Sequence, residues 1–143
     1  MQLQDTVTVI TGGASGLGAA AAQHLASLGA KVVIFDVSEE GVQRVAKQVN
    51  GLGVVCDVTD EQSVKNAFAL TKKQYGPARV CVNFAGILDG GRIIAKDGPM
   101  DLNHFRNVID IDLIGTFNVM RIALADMIEC SPIGEAEERG VVI

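Results

Sequence analysis

The chain has 143 residues, a length that suits one domain, with 48% hydrophobic residues to build a core but only 4% aromatic and no tryptophan. A net charge of −5 without a lysine and arginine cluster argues against a nucleic-acid surface, and no apolar run approaches the ~20 residues of a membrane span. Three cysteines, Cys56, Cys81 and Cys130, are odd in number and far apart, which excludes a disulfide framework and metal-ligand spacing and suits a reducing cytoplasm.

Strand and helix patterns alternate from the start. Val7–Ile10 reads as a first strand, beginning within about six residues of Met1, so neither a signal nor a transit peptide is expected. Leu17–Leu28 reads as a helix ended by Gly29, and Lys31–Asp36 as a second strand. Ser38 is placed to cap a helix with Val42, Val45, Ala46 and Val49 on one face. Gly51–Cys56 reads as a short third strand. Thr59 and Asp60 open a third helix carrying Val64, Phe68 and Leu70, which Gly76-Pro77 ends. Val80–Asn83 is a fourth strand. Gly86–Pro99 reads as irregular, with turns at Gly90-Gly91 and Gly98-Pro99. Phe105–Ile111 and Gly115–Ile128 read as a long helix, in one or two parts. The charged run Glu135–Arg139 is expected to be a solvated loop, and Gly140–Ile143 a fifth strand just beginning. Apolar strands of Val and Ile, separated by helices with short connections, imply an α/β fold: a Rossmann-type, doubly wound parallel sheet with helices on both faces.

Thr11-Gly12-Gly13-Ala14-Ser15-Gly16-Leu17-Gly18 joins the first strand to the first helix, the context that a dinucleotide-binding loop requires. Gly12 is expected to turn the chain out of the strand, Gly16 to let a pyrophosphate approach the backbone, and Gly18 to pack the helix on the sheet. Ser15 and Leu17 belong to the same loop, and the helix start supplies free N–H groups and a positive dipole end. Asp36 ends the second strand 18 residues after Gly18. Its carboxylate can accept hydrogen bonds from ribose hydroxyls and would repel a 2′-phosphate. Neither Ser15 nor Val37 supplies a compensating base, so the expected cofactor is NAD rather than NADP. Asp57 closes the third strand after Cys56 and, on local pattern alone, serves equally as a helix N-cap. Small residues in Asn83-Phe84-Ala85-Gly86 leave room for a ligand after the fourth strand. His24 and His104 stand apart from any Cys, Asp or Glu cluster, and no metal site is expected.

The spacing Thr-Gly-x-x-x-Gly-x-Gly resembles the fingerprint of the short-chain dehydrogenase/reductase (SDR) family, and the likeness runs over essentially the whole chain. The resemblance implies that Asp57 bonds the adenine amino group, that Cys56 and Val58 pack beside it, and that Asn83–Gly86 hold the central sheet and line the nicotinamide side. Phe84 replaces a smaller residue and is expected to act through its backbone. The Leu88–Met100 insertion, Asp101–Phe105, Leu113–Val119 and Arg139–Ile143 are similar to the branch of type-2 3-hydroxyacyl-CoA dehydrogenases, also called 17β-hydroxysteroid dehydrogenase type 10. Members oxidise the 3-hydroxyl of short acyl-CoA thioesters with NAD. Small-molecule substrates, an acyl-CoA or another secondary alcohol or ketone, and homo-oligomer formation follow as implications.

The family's chemistry needs a Ser and a Tyr-x-x-x-Lys, and both come after the fifth strand. The sole tyrosine here, Tyr75, precedes Gly76-Pro77 and has Arg79 four residues on. The expectation is therefore one NAD-binding domain over residues 1–143, the amino-terminal half of such an enzyme, truncated after about five strands and inactive alone. A nucleotide-binding or oligomerisation module without chemistry is the alternative. Asp112 stands where the family usually has an Asn that kinks the helix and holds a water in the proton relay. Its expected role is in that relay, or else it is an ordinary helix residue.

Overall fold

The computed structural model describes residues 2–96 and 98–143. Its elements are β1 (Val7–Thr11), α1 (Gly16–Ser27), β2 (Lys31–Asp36), α2 (Glu39–Val49), β3 (Leu52–Val55), α3 (Glu61–Tyr75), β4 (Val80–Asn83), β5 (Ile94–Ala95), β6 (Gly98–Pro99), α4 (Leu102–Val108), a π-helical segment Ile109–Gly115, α5 (Thr116–Ile128) and β7 (Val141–Val142). Five strands form a parallel sheet in the order β3-β2-β1-β4-β7. The chain winds outward from β1 to β3 and then crosses back to β4. The β1–β4 junction is therefore where the strand order reverses, and ligands bind beyond the strand ends at such a junction.

Alternation along β1 and β2 explains the continuous apolar runs. Val9, Val33 and Phe35 point to one face and pack with Val64, Phe68, Val119, Ala123 and Met127 of α3 and α5. Ile10, Val32 and Ile34 point to the other and pack with Ala22 of α1 and Val42 and Val45 of α2. Both faces are covered, so the strands carry no polar face for solvent. Phe35 and Phe68 meet edge to face, with ring centroids 5.3 Å apart and planes at 88°. Leu70, expected to join Val64 and Phe68 on α3, is instead exposed.

Caps set the helix ends. The side chains of Ser38, Asp60 and Asp101 accept from the N–H groups of Gly41, Gln62 and Asn103, fixing the starts of α2, α3 and α4. Asp60 holds the α3 cap, so Asp57 is not the N-cap of that helix.

Three segments differ from expectation. The irregular stretch before α4 contains the antiparallel β5–β6 hairpin, with Ile94 opposite Pro99 and a Met100 N–H to Ile93 carbonyl bond of 2.9 Å. Two-residue strands are too short to show a period, and Pro99 is tolerated on a pair with no further neighbour. The long helix is interrupted by seven residues of π-helix, a widening that side-chain periodicity does not announce. The Glu135–Arg139 run is exposed at Glu135, Glu137 and Arg139, as a solvated loop would be, yet it is also tied down. Ile133 bridges to Glu138, and Arg139 Nη1 donates to the carbonyls of Ile128 and Cys130, capping the end of α5.

Candidate dinucleotide site

The glycine loop is built against the exit of β4. The Phe84 N–H donates to the Thr11 carbonyl at 3.2 Å, and the Ala85 N–H to Thr11 Oγ1 at 3.1 Å. Gly12 turns with φ +63°, and a Cβ there would lie 2.6 Å from the Phe84 carbonyl carbon. A Cβ on Gly18 would strike the Gly12 carbonyl, so the tight packing made possible by Gly18 is of helix on loop, not of helix on sheet. Gly16 differs from both: its φ is +50° and the space around its missing Cβ is open. Ser15 precedes α1 with no side-chain cap bond and is exposed. The first N–H groups of α1 lack helical acceptors and carry the positive end of the dipole.

Asp36 reaches back under this loop from the end of β2. Its Oδ2 accepts from the Ala14 N–H and its Oδ1 from the Ser38 N–H, each at 3.1 Å. The carboxylate is thus oriented from within the fold, and each oxygen keeps lone-pair capacity for a hydroxyl donor.

Cys56, Asp57 and Val58 follow β3. The Asp57 N–H donates to Ser63 Oγ at 3.0 Å, and Asp57 Oδ1 accepts from the Thr59 N–H at 2.9 Å and from the Thr59 hydroxyl at 2.7 Å. Burial pushes the Cys56 thiol up to about 11, with a Ser63 hydrogen bond opposing the rise and Asp57 and Asp60 adding to it. It is a small buried apolar group here, not a nucleophile. Val58 is held from the far side. Buried Asn118 donates Nδ2 to the Val58 carbonyl at 2.8 Å, while Arg121 donates Nε and Nη2 to Asn118 Oδ1 at 3.2 and 2.8 Å. A Cβ on Gly115 would come 2.6 Å from Val58 Cγ2, so glycine lets the π-helical segment close on this wall.

Asp112 lies mid-way along that segment. Its Oδ1 accepts from the Ile87 N–H at 2.9 Å, linking the helix to the chain leaving β4. Asn83 turns the other way: its Nδ2 donates to the Ile143 carbonyl at 3.1 Å and its buried Oδ1 has no partner among the described residues. It ties β4 to β7 and does not line the cleft.

A cavity of about 440 Å³ lies over these strand ends. Gly12 and Ser15–Gly18 line it at one side, Asp36, Val37 and Cys56–Val58 at another, and Phe84–Gly86 at a third; Ile87 and Ile111, which local sequence signals do not single out, complete it. Its ionisable lining groups are Asp36, Asp57 and Cys56, with no base among them. A phosphate placed here would rely on backbone N–H groups and the α1 dipole, a cradle that Gly16 leaves open. Tyr75 lines a different cleft with Pro77 and Arg79, at the opposite end of the strands. His24 is exposed on α1, and His104, in α4, faces Asp89 Oδ2 at 3.4 Å. Among the described residues no three His, Cys, Asp or Glu side chains are grouped to hold a metal.

The family model described as short chain dehydrogenase matches residues 6–143. The chain belongs to this family. Human 3-hydroxyacyl-CoA dehydrogenase type-2 is 40% identical over 141 residues, covering 96% of this chain and 54% of that protein. Zerumbone synthase from Zingiber zerumbet is 38% identical over 132 residues, covering 90% of this chain and 49% of that protein. A crystal structure from Brucella melitensis 16M, described as ribose-5-phosphate isomerase, superposes with a TM-score of 0.79 at 35% identity, over 87% of this chain and 47% of that one. The chain thus spans about half the length of the curated relatives it matches. No helix among the described residues is long and apolar enough to cross a membrane.

Proposed function

We propose that the chain is the NAD-binding half of an SDR oxidoreductase acting on a small secondary alcohol, with a 3-hydroxyacyl-CoA as the favoured substrate. One observation carries this reading: the glycine loop, Asp36, Asp57 and the β4 exit, far apart in sequence, converge on one cavity at the strand-order reversal. In the reading, backbone N–H groups at Ser15–Gly18 hold the pyrophosphate and Asp36 accepts from the adenine ribose. Asp57 and Val58 bind adenine, and Phe84–Gly86 border the nicotinamide. The nicotinamide, when bound, accepts the hydride. Asp112 orients the chain around Ile87 beside that end. The 3-hydroxyacyl-CoA preference rests on the type-2 relatives named above.

Tyr75 lies at the wrong end of the sheet to meet a substrate in this cavity. That favours a chain that binds NAD without turning it over by itself. A cytoplasmic place is supported by three free, buried thiols. Homo-oligomer formation is supported by exposed Phe117, Leu124 and Ile128 on α5.

Calorimetric titration with NAD and NADP tests the reading. NAD should bind at least ~10-fold more tightly than NADP, the cost of setting a phosphate against a carboxylate. Asp36→Ala should erase most of that preference. An absence of NAD binding would refute the cofactor reading, and tighter NADP binding the role of Asp36.

A further inference from the structure

Arg44 was singled out by no motif and lies outside the cavity, yet it touches the loop that forms it. From the second turn of α2 its Nη2 donates to the Ala14 carbonyl at 2.8 Å. The other side of Ala14 is held by its own N–H bond to Asp36 Oδ2 at 3.1 Å. Ala14 itself is buried, and the α2 backbone stands close over it: a Cβ on Gly41 would lie 2.6 Å from the Ala14 Cβ. The residue is therefore gripped through both of its peptide groups, by a carboxylate and by a guanidinium.

The second grip has a direction. In a trans peptide the carbonyl of one residue and the N–H of the next point opposite ways. Fixing the Ala14 carbonyl on Arg44 therefore aims the Ser15 N–H away from α2, on the side where Ser15 lines the cavity. A cation on the carbonyl also polarises that peptide and strengthens its N–H as a donor. We infer that Arg44 is a positioning residue of the dinucleotide site, which orients and polarises the Ala14–Ser15 peptide toward the pyrophosphate of the cofactor. The basic group that the cavity lining lacks thus acts from behind the loop, through a peptide. The inference rests on the dinucleotide reading of the cavity.

The test compares NAD with adenosine, which has no phosphate for the Ser15 N–H to meet, by calorimetry and by NMR titration. Arg44→Met should weaken NAD about tenfold, the scale of one charge-assisted hydrogen bond, and leave adenosine unchanged. Arg44→Lys, which keeps one cationic donor, should recover part of the loss. An equal loss for NAD and adenosine, no loss at all, or no recovery with lysine while the circular dichroism of both variants stays native would overturn the assignment. If the unaltered chain binds neither ligand, the dinucleotide reading fails and takes this one with it; if it binds both and Arg44→Met changes nothing, this one alone fails.

Discussion

Cys56 and Cys81 show how burial sets the chemistry of a single side chain. Both thiols are almost wholly excluded from solvent. Loss of hydration pushes Cys81 up to about 12 and is the largest cause of the rise of Cys56 to about 11, from an ordinary value of 9.0. In the unfolded chain each titrates near its ordinary value. Between pH 9 and 11 the folded state therefore binds more protons than the unfolded one, and stability must fall as pH rises. The contribution is fully present below pH 9 and is lost through the folded-state values. Urea unfolding at pH 8 and pH 11 should show a loss of about 2 kcal/mol from Cys56 alone. Cys56→Ala should flatten the slope, whereas a pH-independent midpoint would mean that the thiol is not desolvated. The same burial predicts that neither thiol reacts with an alkylating reagent at neutral pH until the chain unfolds.

The glycine loop makes its prediction as an element, because its glycines serve different ends. Gly18 has no room for a methyl group, since the Gly12 carbonyl occupies the space. Gly16 has room but a left-handed backbone at φ +50°. Gly18→Ala should cost several kcal/mol, seen as a large drop in melting temperature, because backbone atoms must move apart. Gly16→Ala should cost only about 1–2 kcal/mol of strain, yet remove most NAD affinity by placing a methyl group where the phosphates approach. Equal melting temperatures for the two variants would contradict this division. The loop was legible in the chain because its signals are local: glycines at fixed offsets between a strand and a helix. The main strands and helices were legible for the same reason, the strands as short apolar runs and the helices through a period of about 3.6 residues. Arg44 and Asn118 were not, since each acts on a segment distant in sequence through one long-range bond. Asn83 shows the converse limit. Its position at the end of β4 was clear, but the direction of its amide depends on β7, 60 residues further on. The β5–β6 hairpin and the π-helical segment escaped because neither has a side-chain period of its own.

At the scale of the whole molecule, α5 has more apolar surface than the fold covers. Val119, Ala123 and Met127 face the sheet and are fully packed. Phe117, Leu124 and Ile128 form a second apolar stripe, at spacings of seven and four residues, and are 57%, 43% and 63% exposed. Beside this helix, β7 pairs with β4 along one edge, and no strand pairs its other edge among the described residues. An uncovered helix stripe presents a hydrophobic surface. Burying such a stripe against a second copy removes apolar area from water at about 25 cal/mol per Å². The chain should accordingly run as a dimer or larger species by light scattering after gel filtration. Leu124→Glu combined with Ile128→Lys should shift it toward monomer while leaving NAD affinity unchanged, because neither side chain lines the cavity. A monodisperse monomer before substitution would show that this surface is tolerated in water. Loss of NAD binding on substitution would show instead that α5 and the Val58 wall respond to one another, through the Asn118 bond that joins them.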